Sequence, residues 1–119
     1  MVTISKEENN FIFNVEGLHK LWALKSQLTI PIQNINKAYQ DMEQLSSWWK
    51  GIRMPGTHVP GLITAGTFYQ SGNKIFWDVV KKENAIIIDL EDENYQKLIV
   101  EVENPNEAIQ FINDALEFV

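Results

Sequence analysis

Short connections constrain this chain more than any other feature. From Leu62 onward, strand-length apolar runs follow one another with only a few turn-forming residues between them. Leu62 to Tyr69 reads as a strand, with Gly66 marking a bulge or a close backbone approach. Gln70-Ser71-Gly72-Asn73 is a turn, and Lys74 to Val80 is the next strand. Lys81-Lys82-Glu83-Asn84 turns the chain again into Ala85-Ile86-Ile87-Ile88-Asp89-Leu90, apolar enough to be buried on both sides for part of its length. After the acidic link Glu91-Asp92-Glu93-Asn94, Leu98, Val100 and Val102 face one way, while Lys97, Ile99, Glu101 and Glu103 face the other. A parallel crossover needs about a dozen residues or more, which these links lack, so neighbouring strands are expected to pair antiparallel.

Upstream, Phe11, Phe13 and Val15 alternate with Ile12, Asn14 and Glu16 before Gly17 interrupts them. Lys20 to Leu24 and Leu28 to Ile30 flank Lys25-Ser26-Gln27 as a hairpin, which Pro31 ends. Ile35 to Gln40 is a weaker strand. Asp41 with Gln44 forms a capping-box pattern, and Met42, Leu45 and Trp49 share one helical face, so a short helix runs to Lys50, where Gly51 stops it. The clearest helix comes last. Asn104 suits the N-cap, Pro105 the first helical position and Glu107 the third. Ala108, Ile109, Phe111, Ile112, Ala115, Leu116 and Val119 follow at helical spacing. That apolar stripe must be buried against a sheet. The expected fold is mostly β, about seven antiparallel strands rolled into a barrel or an orthogonal sandwich, with a short inserted helix and one capping helix.

The chain of 119 residues reads as a single domain, 1–119, and its 45% hydrophobic content suffices for a core. With no cysteine, disulfides, thiolate metal sites and a cysteine nucleophile are excluded. The amino terminus lacks a signal-peptide pattern and no apolar run is long enough to span a membrane, so a soluble cytoplasmic protein is expected. The net charge of -6 is unevenly spread. Residues 1–82 carry a balance of +3 and residues 83–119 one of -9. A face built from the acidic third repels nucleic acid, and no nucleic-acid partner is expected. Peripheral membrane contact is left open for the first two-thirds.

Enzyme chemistry finds no constellation to rest on. Gly61 and Gly66 have Walker-like spacing, but Thr67 stands where the lysine belongs and the segment enters a strand. The histidines, His19 and His58, are far apart, and the acidic turn lacks an EF-hand spacing. Thr57 and His58 are adjacent, a relation that seldom aligns side chains for nucleophilic catalysis. No enzyme activity, catalytic residue, metal or cofactor is expected.

Recognition is instead expected on the short helix and loop from Asp41 to Pro60, where Pro55-Gly56 and Pro60-Gly61 shape tight turns. Trp49, Lys50, Arg53 and His58 are the candidate binding residues. The Trp48-Trp49 pair could anchor a partner or pack on the sheet. Arg53 could grip an anion or a carboxylate through its fork, or could pair with Asp78 and fix the loop.

The segments Gly51-Ile52-Arg53-Met54-Pro55-Gly56-Thr57, Ala65-Gly66-Thr67-Phe68, Phe76-Trp77-Asp78-Val79 and Leu98-Ile99-Val100-Glu101-Val102 leading into Asn104-Pro105 resemble bacterial pleckstrin-homology-like proteins. The resemblance covers about residues 9–118. It implies a seven-stranded barrel with a C-terminal capping helix, but no activity, because that fold hosts many roles. Basic residues between the first two strands, which bind phosphoinositides in eukaryotic relatives, are not clustered in Glu16-Gly17-Leu18-His19-Lys20, so no ligand residues carry over. The expected role is a non-catalytic binding or assembly module, its partner another protein or a second copy. The alternative is a peripheral lipid- or envelope-associated protein, in stress response or antimicrobial-peptide immunity, as the resemblance suggests.

Overall fold

The computed structural model describes residues 2–15, 27–46, 64–70, 72–79 and 81–117. Among them are eight strands in two sheets. The first sheet has the order β1-β2-β3, from β1 (Val2–Glu7), β2 (Asn10–Val15) and β3 (Gln27–Pro31). Phe11, Phe13, Leu28 and Ile30 are buried on its inner face, while Gln27 and Thr29 are exposed. This is the alternation of a sheet wetted on one side.

The β1–β2 hairpin was not expected from the sequence. Its turn is Glu8-Asn9, without glycine, and Glu8 takes φ 57°. That left-handed conformation costs a residue with a side chain about 1–2 kcal/mol. Leu28 to Ile30 pairs with β2. Lys20 to Leu24, the other arm of the expected hairpin, lies outside the described residues. Pro31 and a 3-10 turn, Ile32–Asn34, carry the chain out of the first sheet, and Ile32 N–H donates to the Asn9 carbonyl at 2.8 Å.

The second sheet has the order β4-β7-β8-β6-β5, from β4 (Ile35–Tyr39), β5 (Thr64–Gln70), β6 (Asn73–Val79), β7 (Ala85–Leu90) and β8 (Lys97–Glu101). A helical turn, α1, occupies 42–46. Asp41 caps it as expected: its Oδ1 accepts from Gln44 N–H at 3.1 Å and its Oδ2 from the Gln44 side chain at 2.9 Å.

One pairing departs from the expectation. β6 and β8 run parallel, with Ile75 opposite Lys97 and Asp78 opposite Val100. The short link after β6 does reverse the chain, so β6 and β7 are antiparallel, but they are not neighbours. β8 returns from β7 and enters the slot between them. The gap skipped is two strand spacings, about 10 Å, which a link of a few residues spans. The slot suits β8 because Leu98, Ile99, Val100 and Glu101 are all buried, and only an inner strand covers both faces.

The faces of this sheet define two apolar clusters. Phe76, Ile86, Ile88, Leu98 and Val100 meet the first sheet's Phe11, Phe13, Leu28 and Ile30. On the opposite face Ile75, Trp77, Val79, Ala85, Ile87 and Ile99 are buried together with Leu45 from α1.

The C-terminal helix α2 (Pro105–Leu116) caps the first cluster. Asn104 is its N-cap and accepts from Glu107 N–H at 3.4 Å. Ile112 is fully buried, while Ala108, Ile109, Ala115 and Leu116 pack around it at partial burial. The mostly-β fold with a capping helix and a short inserted helix is thus formed. Among the described residues its two sheets pack as a sandwich and do not close into one barrel. A physical obstacle is visible at β4, whose outer edge is taken by α2 as described below.

Candidate functional site

The helix α2 treats the two sheets differently. Asn113 reaches the outer edge of β4. Its Nδ2 donates to the Ala38 carbonyl at 2.9 Å, and its Oδ1 accepts from Ala38 N–H at 3.0 Å. A single side-chain amide therefore supplies the donor and acceptor that a neighbouring strand would supply. An exposed strand edge is a template for pairing with other chains, and here it is blocked.

Among the described residues, nothing blocks the edge of β1 in this way. Among the described residues β1 pairs with β2 alone. In an antiparallel pair, alternate residues turn their N–H and C=O groups away from the partner, so half of the polar backbone of β1 faces outward. Beside it lies a groove of about 440 Å³, lined by Val2, Thr3 and Ile4 on one side. Val102, Glu103, Asn104, Glu107, Ala108 and Phe111 line the other. Its floor is apolar, and the carboxylates of Glu103 and Glu107 stand exposed on its rim. Phe111 is 42% exposed. Its ring makes an edge-on contact with Phe11 at 5.4 Å between centroids.

A polar cluster crosses the opposite face of the second sheet. Lys97 Nζ lies 2.6 Å from Asp89 Oδ1. The Tyr39 hydroxyl donates to the same oxygen at 3.2 Å, and Lys97 Nζ is 3.4 Å from the Tyr39 oxygen. Lys37 Nζ sits 4.8 Å above the Tyr39 ring. Burial works to lower the pKa of Lys97, but the hydrogen bond and charge of Asp89 outweigh it and hold the ammonium above its ordinary value. Burial raises Tyr39, and the Asp89 charge raises it further. Both groups stay protonated at neutral pH, so the cluster offers neither a free amine nor a phenolate as nucleophile or base. Its chemistry is that of a fixed, charge-assisted tie across β4, β7 and β8.

The acidic segment does not gather its carboxylates. Asp89 is tied to Lys97, and Glu93 accepts from Asn34 Nδ2 at 2.5 Å. Among the described residues, no group of three or more histidine, cysteine or acidic side chains is placed to hold a metal ion. Asp78 on β6 and Glu101 on β8 are buried carboxylates, and Glu101 Oε1 accepts from Lys81 N–H at 3.3 Å.

Trp49, Lys50, Arg53 and His58 lie outside the described residues, as does the whole Pro-Gly loop from Gly51 to Gly61. The groove escaped the sequence reading for two reasons. β1 carries only two apolar residues, Val2 and Ile4, and its turn lacks glycine. Phe111 belongs to the apolar stripe of α2, and only its place at the flank of that stripe, beside Ala108 rather than Ile112, signals exposure. No described helix is long and apolar enough to cross a membrane. No family model, no curated protein and no solved structure matches this chain.

Proposed function

We propose that this protein is a non-catalytic binding module that takes a segment of a partner protein in the groove between β1 and α2. The observation that carries this reading is the half-exposed Phe111 over an apolar floor, next to a strand edge with no partner among the described residues. Large aromatic side chains set in concave apolar surfaces are where binding energy concentrates. The contrast with β4 adds support: Asn113 closes that edge, whereas among the described residues nothing pairs with the outer edge of β1. The carboxylates on the groove rim would be repelled by an anionic bilayer, which disfavours the lipid-associated alternative.

Selection of random displayed peptides against the whole chain tests the reading, with Phe111→Lys as the counter-target. Phe111 is exposed enough for the variant to fold, which circular dichroism checks. Peptides enriched on the unaltered chain and lost on the variant are expected. Enrichment that is indifferent to Phe111→Lys, or no enrichment, would overturn it.

A further inference from the structure

Resting on that reading, we infer that the groove receives its partner as an added β-strand: an extended segment, alternately apolar and basic, that hydrogen-bonds to the outer edge of β1. Three features of the site converge on this chemistry.

The first is the backbone. An extended chain laid along Val2 to Lys6 meets outward N–H and C=O groups at every second residue, and these supply sequence-independent hydrogen bonds. A helical segment keeps its own backbone bonds internal and would leave that row unused.

The second is the division of faces. A strand presents its side chains alternately to two sides. One set would fall among Val2, Ile4, Ala108 and Phe111. The other set would point away from the floor. The groove volume of about 440 Å³ accommodates a few side chains rather than a folded domain.

The third is charge. Glu103 and Glu107 flank the groove, and the chain from residue 83 onward carries a balance of -9. Lysine or arginine at the flanking positions of the guest meets this field, and an acidic guest is excluded by it. The same field disfavours a second copy of this chain, whose net charge is -6.

The probe is a seven-residue capped peptide of alternating lysine and valine, titrated into the isotopically labelled whole chain and read by amide chemical shifts. Shifts are expected at Val2 to Lys6 and from Glu103 to Phe111. Two further peptides carry N-methyl groups on the odd or on the even amides. Only one set of amides in an added strand faces β1, so one of the two should keep its affinity and the other lose about tenfold or more. A glutamate-valine peptide should not bind, and Glu103→Lys with Glu107→Lys should reverse that preference. Equal losses from both methylation patterns would overturn the added-strand geometry even if the displayed-peptide selection succeeds. Binding of the acidic peptide as tightly as the basic one would overturn the charge argument. A dimer by light scattering, with β1 amides protected from exchange before any peptide is added, would assign the edge to a second copy and overturn the inference.

Discussion

Replacement of Asn113 tests the most specific contact in the fold. Its amide satisfies both backbone groups of Ala38, a residue only 3% exposed. Asn113→Ala leaves a buried N–H and a buried C=O without partners. Each costs about 1–3 kcal/mol when it cannot reach water. Asn113 is itself half-buried, so water enters part of the vacated space and the lower end applies, about 2 kcal/mol for the pair. With a urea m-value of about 2 kcal/mol/M for a domain of this size, the unfolding midpoint should fall by about 1 M. Asn113→Asp separates the two bonds. Its carboxylate accepts from Ala38 N–H but sets a lone pair against the Ala38 carbonyl, whereas its protonated form can serve both. The folded state therefore favours the proton, and the folded pKa lies above the unfolded value of about 3.9. Stability from that preference is present below the unfolded value and is lost as pH rises through the folded one. Relative to the unaltered chain, Asn113→Asp should thus be least destabilised near pH 4 and most near pH 7. Urea unfolding at both pH values, followed by fluorescence, provides the measurement. A midpoint shift below about 0.3 M for Asn113→Ala, or a pH-independent deficit for Asn113→Asp, would refute the clamp.

Three other outcomes follow from the same structure. Ile112→Ala should cost about 2–5 kcal/mol because Ile112 is fully buried, while Phe111→Ala should cost about 1 kcal/mol because its ring is half in water; parallel denaturation curves distinguish them. Glu8→Gly should raise stability by about 1 kcal/mol, since glycine occupies φ 57° without steric penalty, and a lowered melting temperature would contradict this account of the turn. Lys97 and Tyr39 are both raised in the fold, so the folded chain holds these protons more tightly than the unfolded one. Their contribution is fully present below about pH 10 and is lost as pH rises further; Lys97→Met and Tyr39→Phe should each flatten the alkaline fall in stability.

Much of the fold was legible locally. The caps at Asp41 and Asn104 follow from which side chains can bond the free N–H groups of a first helical turn. The strand at Phe11 and Phe13 follows from alternation, and the burial of Ile112 from helical spacing. β1 was not legible, because Val2 and Ile4 alone make a weak alternation and Glu8-Asn9 is an unmarked turn. For the recognition loop, the sequence named Trp49, Lys50, Arg53 and His58, and these lie outside the described residues.

Periodicity and turn chemistry are enough to say which residues extend, which coil and which way each link sends the chain, because those properties are set within a window of a few side chains. Adjacency is different. That β8 lies between β6 and β7, and parallel to β6, depends on where a strand buried on both faces can be covered, and every layer of the molecule takes part in that choice. The same is true of Asn113 meeting Ala38, 75 residues away in the chain. Only the docking of α2 across both sheets decided which edge would be sealed and which would border the groove.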